Sequence, residues 1–329
     1  MIHSKMSHRD RMQALIAHKT VDRIPVALWR HFPVDDQDAE LLAAATVNFQ
    51  SQYDFDVVKV TPASSFCLKD WGAEDRWEGN PEGTRRYTKH VIQSPGDWEK
   101  LPLIKPNVKY LSQQLECLNL LKKNIDKDTP LIQTVFSPLS QAKNLAGGEV
   151  LLAHLRAFPE AVQKGLEIIT QSTMLFVQAV IEIGADGIFY AIQHAQADLL
   201  NQTEYVKFGK NQDEQILQQA RTLWCNILHL HGTKVYFDLI KGFPVQIINW
   251  HDRETSPSLE EAFHLFQGVL CGGLKRETLS LGTPGEINCE IKDAINQVGG
   301  KRLLLGTGCV IPIISPHGNI KFVRSAVEP

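Results

Sequence analysis

Two histidines separated by one leucine end the apolar run "NILHLHG" (226–232). Side chains on a strand alternate faces, so His229 and His231 point one way and Leu230 the other. Two imidazoles on one face suit a metal or an anionic ligand. They suit an apolar core poorly, because buried ring nitrogens need partners. A wet strand end also accommodates them, and the pair alone does not decide. Cys309 follows the glycine-rich "LLLGTG". Two ring nitrogens and one thiolate are competent zinc ligands, and three protein ligands leave a position open for catalysis. A zinc-bound thiol is deprotonated yet still nucleophilic, so such a site can activate a thiol substrate. The competing reading of Cys309 is a small buried residue at a strand end. Cys225 and Cys271 read as core cysteines.

The elements that must position these residues alternate between β-type runs and helical patterns. The strand candidates are 23–29, 54–60, 130–136, 184–192, 225–231, 244–250, 268–274 and 301–309. Helical patterns cover 35–51, 107–124, 148–182 (restarted at Pro159), 201–224, 257–266, 284–300 and 316–327. Eight strands, each followed by a helix or an excursion, predict an α/β fold of the (β/α)8 TIM-barrel type. The whole of 1–329 is expected to form one domain, with an excursion carrying a hairpin at about 69–93. A doubly wound open sheet is the alternative, but no GxGxxG follows the first strand.

In a barrel enzyme the site lies at the C-terminal strand ends. Those ends carry Trp29-Arg30-His31, Lys59 and Thr61, Ser137, Gln193-His194, His229 and His231, Asn249-Trp250-His251-Asp252-Arg253, and Cys309. His194 is a candidate fourth ligand, general base or substrate contact. Arg30 is a candidate catalytic residue and an anchor for a carboxylate or phosphate. Lys59 offers the same anchorage, and Gln193, Asn249 and His251 are further candidate substrate contacts. Each could equally be a polar residue at a solvated strand end.

Composition narrows the function classes. The chain of 329 residues is 43% apolar and 22% charged, with net charge −3. No basic excess points to nucleic acid. No run approaches the roughly 18 apolar residues of a membrane span, and the polar "MIHSKMSHRD" lacks the apolar core of a signal peptide. A cytoplasmic location is therefore expected. The six cysteines show no CxxC pair and read as reduced thiols.

Several segments resemble the uroporphyrinogen decarboxylase superfamily. "RIPVALWRH" is similar to its arginine-bearing first strand. "QGVLCGGLKRETLSLGTPGEI" resembles the segment around its Gly-Asn-Leu-Asp-Pro motif, and "LLLGTGCVIPIISPHGNIKFVRSAVE" its last strand and helix. The resemblance implies a (β/α)8 barrel, a homodimer, and one of two activities. Decarboxylases of the superfamily remove acetate carboxylates from a porphyrinogen. Its zinc-dependent methyltransferases move methyl groups between a corrinoid protein and a small thiol.

Four departures argue against decarboxylation. The aspartate after the second strand is absent from "VVKVTPASS", and the arginine pair is reduced to Arg30. Gly-His-Gly reads Gly306-Thr307-Gly308, and Gly-Asn-Leu-Asp-Pro reads "GGLKR". The methyltransferases carry His-x-Cys-Gly on the fifth strand and a later Gly-Cys. Here these read His229-Leu230-His231-Gly232 and Gly308-Cys309. The resemblance thus implies zinc held by His229, His231 and Cys309, a thiol substrate, and a corrinoid methyl donor or acceptor. The alternatives are a decarboxylase of a tetrapyrrole anchored by Arg30 and Lys59, and a non-catalytic barrel that binds a tetrapyrrole or corrinoid.

Overall fold

A computed structural model describes residues 5–328. Its main sheet has seven parallel strands in neighbour order: β1 (Val58–Val60), β4 (Leu131–Phe136), β5 (Gly187–Ile192), β6 (Ile227–Leu230), β7 (Ile247–Trp250), β8 (Val269–Leu274) and β9 (Leu303–Thr307). The expected strand at 23–29 is not a regular strand. Only an extended segment about Val26 joins β9 to the start of β1 and fills the eighth position. Leu305 N–H donates to Pro25 O (2.8 Å), Ala27 N–H to Leu305 O (3.0 Å) and Asp56 N–H to Val26 O (2.8 Å). Pro25 has no N–H to give, which shortens the ladder there. The fold is α/β, a curled parallel sheet of the (β/α)8 type.

Asp56 locks this closure from below. Its fully buried carboxylate accepts from Val26 N (2.7 Å), Arg11 Nη1 (2.7 Å), Arg23 Nη1 (2.6 Å) and Nη2 (2.9 Å), and it lies 2.9 Å from His8 Nδ1. Arg11 also pairs with Asp22 through two nitrogens (2.6 and 2.8 Å).

Period-two alternation divides the apolar residues into two clusters. Ile132, Ile227, Ile247, Val269 and Leu304 belong to the barrel interior. Their strand neighbours Leu131, Leu228, Ile248, Leu270, Leu303 and Leu305 belong to the larger layer between sheet and helices. The helices over 148–182 are Gly148–Ala157 and Pro159–Ile183, divided where Pro159 restarts the pattern. Two helices not read from sequence, Pro138–Ala146 and Arg276–Leu281, follow β4 and β8 directly. Helix Pro159–Ile183 is long and apolar enough, by length and composition, to cross a bilayer. That qualifies the sequence expectation of no such stretch. Its Val162, Leu166, Ile169 and Val177 are buried in the core layer.

Residues 74–89 form an antiparallel hairpin of β2 (Glu74–Arg76) and β3 (Arg86–Lys89). The tip between these strands returns to the barrel. Ile313 N–H donates to Pro81 O (2.7 Å), and Arg276 Nη1 lies 2.6 Å from Glu82 Oε1. Gly83, at φ 76°, lies where an added Cβ would sit 2.4 Å from His31 Cβ, so glycine is needed for this close approach. All six cysteines are free thiols.

Candidate metal centre

Along the inward-facing rows, apolar residues give way to polar ones toward the C-terminal strand ends. Val57 leads to Lys59, Ile132 to Thr134, Ile227 to His229 and His231, and Ile247 to Asn249 and His251. The apolar lower rows fill the barrel, and the polar upper rows form the floor of a cavity.

Four donors meet on this floor. Ligand atoms of His229, His231, His251 and Cys309 all lie within 4.8 Å of one another. Ring centroids are 5.8 Å apart for His229–His231, 6.0 Å for His229–His251 and 5.1 Å for His231–His251. Cys309 Sγ is 3.7 Å from His231 Nδ1. His229 and His231 share a face because they are two apart on β6. His251 shares it because it is two beyond Asn249, with fully buried Trp250 turned to the other side.

Asn249 fixes how His229 presents itself. It is paired with His229 in the β6–β7 register. Its Nδ2 donates to Cys271 O (2.9 Å) and Thr307 O (3.0 Å), which uses both amide hydrogens. Oδ1 must then accept from His229 Nδ1, at 2.7 Å. Nε2 of His229 is left with a free lone pair, the form a metal requires. On His251, Nδ1 lies 3.1 Å from Glu254 Oε2, and the buried Nε2 has no protein partner. A buried ring nitrogen without a partner is costly in a folded chain. One thiol with three imidazoles, two of them held by side-chain acceptors through the other nitrogen, fits a transition-type ion better than calcium or magnesium.

The loop carrying Cys309 approaches because Gly308 has no side chain. A Cβ there would lie 2.6 Å from His251 Cα and 2.8 Å from Trp250 O. Burial alone would raise the Cys309 thiol, but His229, with His231 and His251, pulls its pKa well below the ordinary value. Burial lowers the pKa of His229. For His251, burial also acts downward, but Cys309 and Glu254 outweigh it and raise the pKa. The cluster thus favours an ionised sulfur, the state in which a thiol ligates.

Replacing Asn249 by Leu is expected to weaken metal binding by roughly 10–100-fold, the usual effect of losing an outer-shell partner. It also strands two buried carbonyls, at about 1–3 kcal/mol of stability. Chelator competition and a denaturant melt on the same preparation measure both. Unchanged metal affinity would mean that Asn249 does not orient His229.

Above the donors is a cavity of about 210 Å3, lined by His229, His231 and Cys309 and by residues of the hairpin tip. Lys59 Nζ sits inside it, 4.5 Å from the Phe189 ring centroid and 5.8 Å from that of Trp29. Among the described residues, its side-chain hydrogen bond is to Thr61 Oγ1 (3.1 Å). Burial drives the Lys59 amine down to about 7, against a smaller upward pull from Cys309. Lys143 also lines the cavity, and burial lowers its pKa. Gln193 lines it too, with Oε1 buried and unpartnered.

Not all of the sequence candidates share this floor. Arg30 does not line the cavity. It lies between Trp29 and His31, which do, and so faces the opposite side of an extended segment. Its guanidinium rests over Phe32 (5.2 Å) and Phe49 (5.9 Å) and donates to Ile313 O (3.2 Å). His194 is buried outside both the donor cluster and the cavity lining. Burial, with Lys143 nearby, lowers its pKa to about 3. His251, a candidate substrate contact from sequence, lies with His229, His231 and Cys309 and is a fourth candidate donor. Asn249, also a candidate substrate contact, is fully buried behind His229. The parity already applied to His229 and His231 holds for Asn249 and His251 and is the signal that would have placed both.

A family model described as Uroporphyrinogen decarboxylase (URO-D) matches residues 7–329. Among curated relatives, the methylcobamide:CoM methyltransferase MtbA of Methanosarcina acetivorans is 22% identical over 329 residues, covering 95% of each chain. The methylcobamide:CoM methyltransferase MtaA of Methanosarcina barkeri is 21% identical over 350 residues, covering 98% of each. A solved methyltransferase from Methanosarcina mazei superposes with a TM-score of 0.86 at 18% identity, over 98% of each chain. A B12-independent methionine synthase from Shewanella sp. W3-18-1 gives 0.61 at 14% identity, covering 95% of this chain and 96% of its own. The barrel is therefore shared with proteins of different names, and the family match extends over nearly the whole sequence: the chain belongs to the uroporphyrinogen decarboxylase (URO-D) family.

Proposed function

We propose that this protein is a zinc-dependent methyltransferase that moves a methyl group between a corrinoid and a small thiol bearing an anionic group. The observation that carries the reading is the set of three imidazoles and one thiol on the cavity floor, with Asn249 fixing the His229 tautomer. The methyl chemistry comes from the relatives, which are named methylcobamide:CoM methyltransferases. His229, His231, His251 and Cys309 would hold the ion, and a thiol substrate would have to displace one of the four or add to them to be activated. Zinc in such a site lowers the pKa of a thiol and keeps its sulfur nucleophilic.

The other residues of the cavity bind and orient. Neither Lys59 nor Lys143 has a carboxylate within ion-pair distance among the described residues, so each is free to meet an anion. The aromatic faces of Trp29 and Phe189 exclude water around Lys59, which strengthens a charge contact. The unpartnered Gln193 Oε1 and His31 Nδ1, both at buried positions, offer hydrogen bonds. The corrinoid would approach the same cavity, carried by a partner protein or free in solution.

Lys59 gives a pH signature. Its amine is charged below about 7 and neutral above it. An anionic thiol should bind best at low pH and lose affinity as pH rises through that value. Lys59→Met should raise KM for an anionic thiol about tenfold or more, as expected from losing a charge-assisted contact, and abolish the pH trend. KM for a neutral thiol should barely move. The assay is thiol-dependent demethylation of methylcobalamin, followed by absorbance. Equal KM changes for both thiols would remove Lys59 from anion recognition. No demethylation with any thiol by zinc-loaded protein would remove the methyltransferase reading.

A further inference from the structure

The segment "GGLKR" departs from the family motif and ends in Arg276. This arginine stands at the start of the short helix after β8, far in sequence from both the hairpin and the donors. Its guanidinium is nonetheless shared between them. Nη1 lies 2.6 Å from Glu82 Oε1 at the hairpin tip, and Nη2 lies 3.8 Å from Glu254 Oε1. The other oxygen of Glu254 is 3.1 Å from His251 Nδ1. Nε of Arg276 is buried without a partner, so its terminal nitrogens make all its ion pairs.

We infer that Arg276 is a positioning residue that couples docking of the hairpin tip to the orientation of His251 in the donor cluster. The inference rests on the metal reading above. Glu82 belongs to the cavity wall together with Gly83, Thr84 and Arg85. With the tip docked, Glu82 holds one arm of the guanidinium, which sets the plane of the other. That arm steadies Glu254, and Glu254 accepts from His251 Nδ1, leaving Nε2 as the lone-pair donor. A carboxylate behind a ligating histidine fixes ring orientation and raises donor strength. A guanidinium suits this relay because its planar fork fixes two directions at once. A lysine ammonium is a single charge on a flexible stem. Two of the four donors therefore depend on different supports. His229 is held by buried Asn249 within the sheet, while His251 is held through a chain that ends on the hairpin tip of the cavity wall. Loss of the tip contact would loosen His251 and leave His229 in place.

Cobalt(II) is the probe that reads this coupling. Metal-free protein is titrated with Co2+. The d–d bands report the donor arrangement, and the sulfur-to-cobalt charge-transfer band reports Cys309. Wild type should show both. Glu82→Gln alters a half-exposed residue that touches no donor, so the protein should fold as wild type does. It should still shift the d–d bands and weaken cobalt binding about tenfold, the lower end for outer-shell changes, while keeping the charge-transfer band. Arg276→Gln should give the same spectrum, and Arg276→Lys should not restore the wild-type one. A wild-type spectrum and affinity in both Glu82→Gln and Arg276→Gln would overturn the coupling while leaving the metal centre standing. No cobalt uptake by wild type would overturn the metal reading and this inference with it.

Discussion

Cys309→Ser is expected to reduce zinc affinity by well over 100-fold, beyond the roughly 10–100-fold effects of outer-shell changes. A neutral hydroxyl supplies neither the charge nor the zinc–sulfur bond of a thiolate. His229→Ala should have a comparable effect, because the three remaining donors would lack the one whose tautomer is fixed by Asn249. Stability should fall only modestly in Cys309→Ser. The sulfur lies on the loop beyond β9, and a barrel of this size has its own core and does not fold around an ion as a small zinc finger does. Equilibrium dialysis beside a thermal melt separates the cases. If Cys309 were only a packed core residue, zinc binding would be the same in both proteins and the melting point alone would change.

Asp56→Ala is expected to be the most damaging single change to the fold, at about 3–5 kcal/mol. Removing one partner of a buried ion pair leaves uncompensated charge, and here both Arg11 and Arg23 lose a carboxylate while Val26 N–H loses its acceptor. The loss falls on the segment that closes the barrel. Burial would raise the Asp56 carboxyl, but hydrogen bonds from His8 and Arg23 hold its pKa far below the usual range. Asp22 is likewise held at about 2, against its burial, by Arg11 and Met6 N–H. A depressed folded-state pKa gives stability that is complete above the unfolded value near 4 and is lost as pH falls toward the folded one. Wild type should therefore destabilise steeply below about pH 4, and Asp56→Ala should show a shallower acid slope from a lower starting stability. Urea melts across that range test this. A variant within about 1 kcal/mol of wild type at pH 7 would show that the network is not what closes the barrel.

The barrel was legible because its rows follow a strict period. Ile132, Ile227 and Ile247 point inward while their neighbours pack under helices, and glycine and proline mark the breaks. The first strand was over-read because "RIPVALW" has the composition of a strand, yet Pro25 and a ladder of three hydrogen bonds leave it a single bridge. The parity that pairs His229 with His231 also relates Asn249 to His251 on the next strand. Arg30 has the chemistry of an anion anchor, but Trp29 and His31 hold the inner positions on either side of it. Contact between the hairpin tip and the cavity was not readable. Glu82 and Arg276 are 194 residues apart, and no local pattern joins them. The membership of Cys309 in the cluster depends on Gly308 passing close to His251 Cα, which a glycine-rich segment permits without specifying.

The most direct measurement is the metal content of the protein purified without a histidine tag, by elemental analysis of wild type, Cys309→Ser and His229→Ala. Zinc at about one ion per chain in wild type, falling toward zero in both variants, is the expected result for a site of these donors. Metal-free wild type that takes up none at micromolar zinc, or equal zinc in all three proteins, would contradict it.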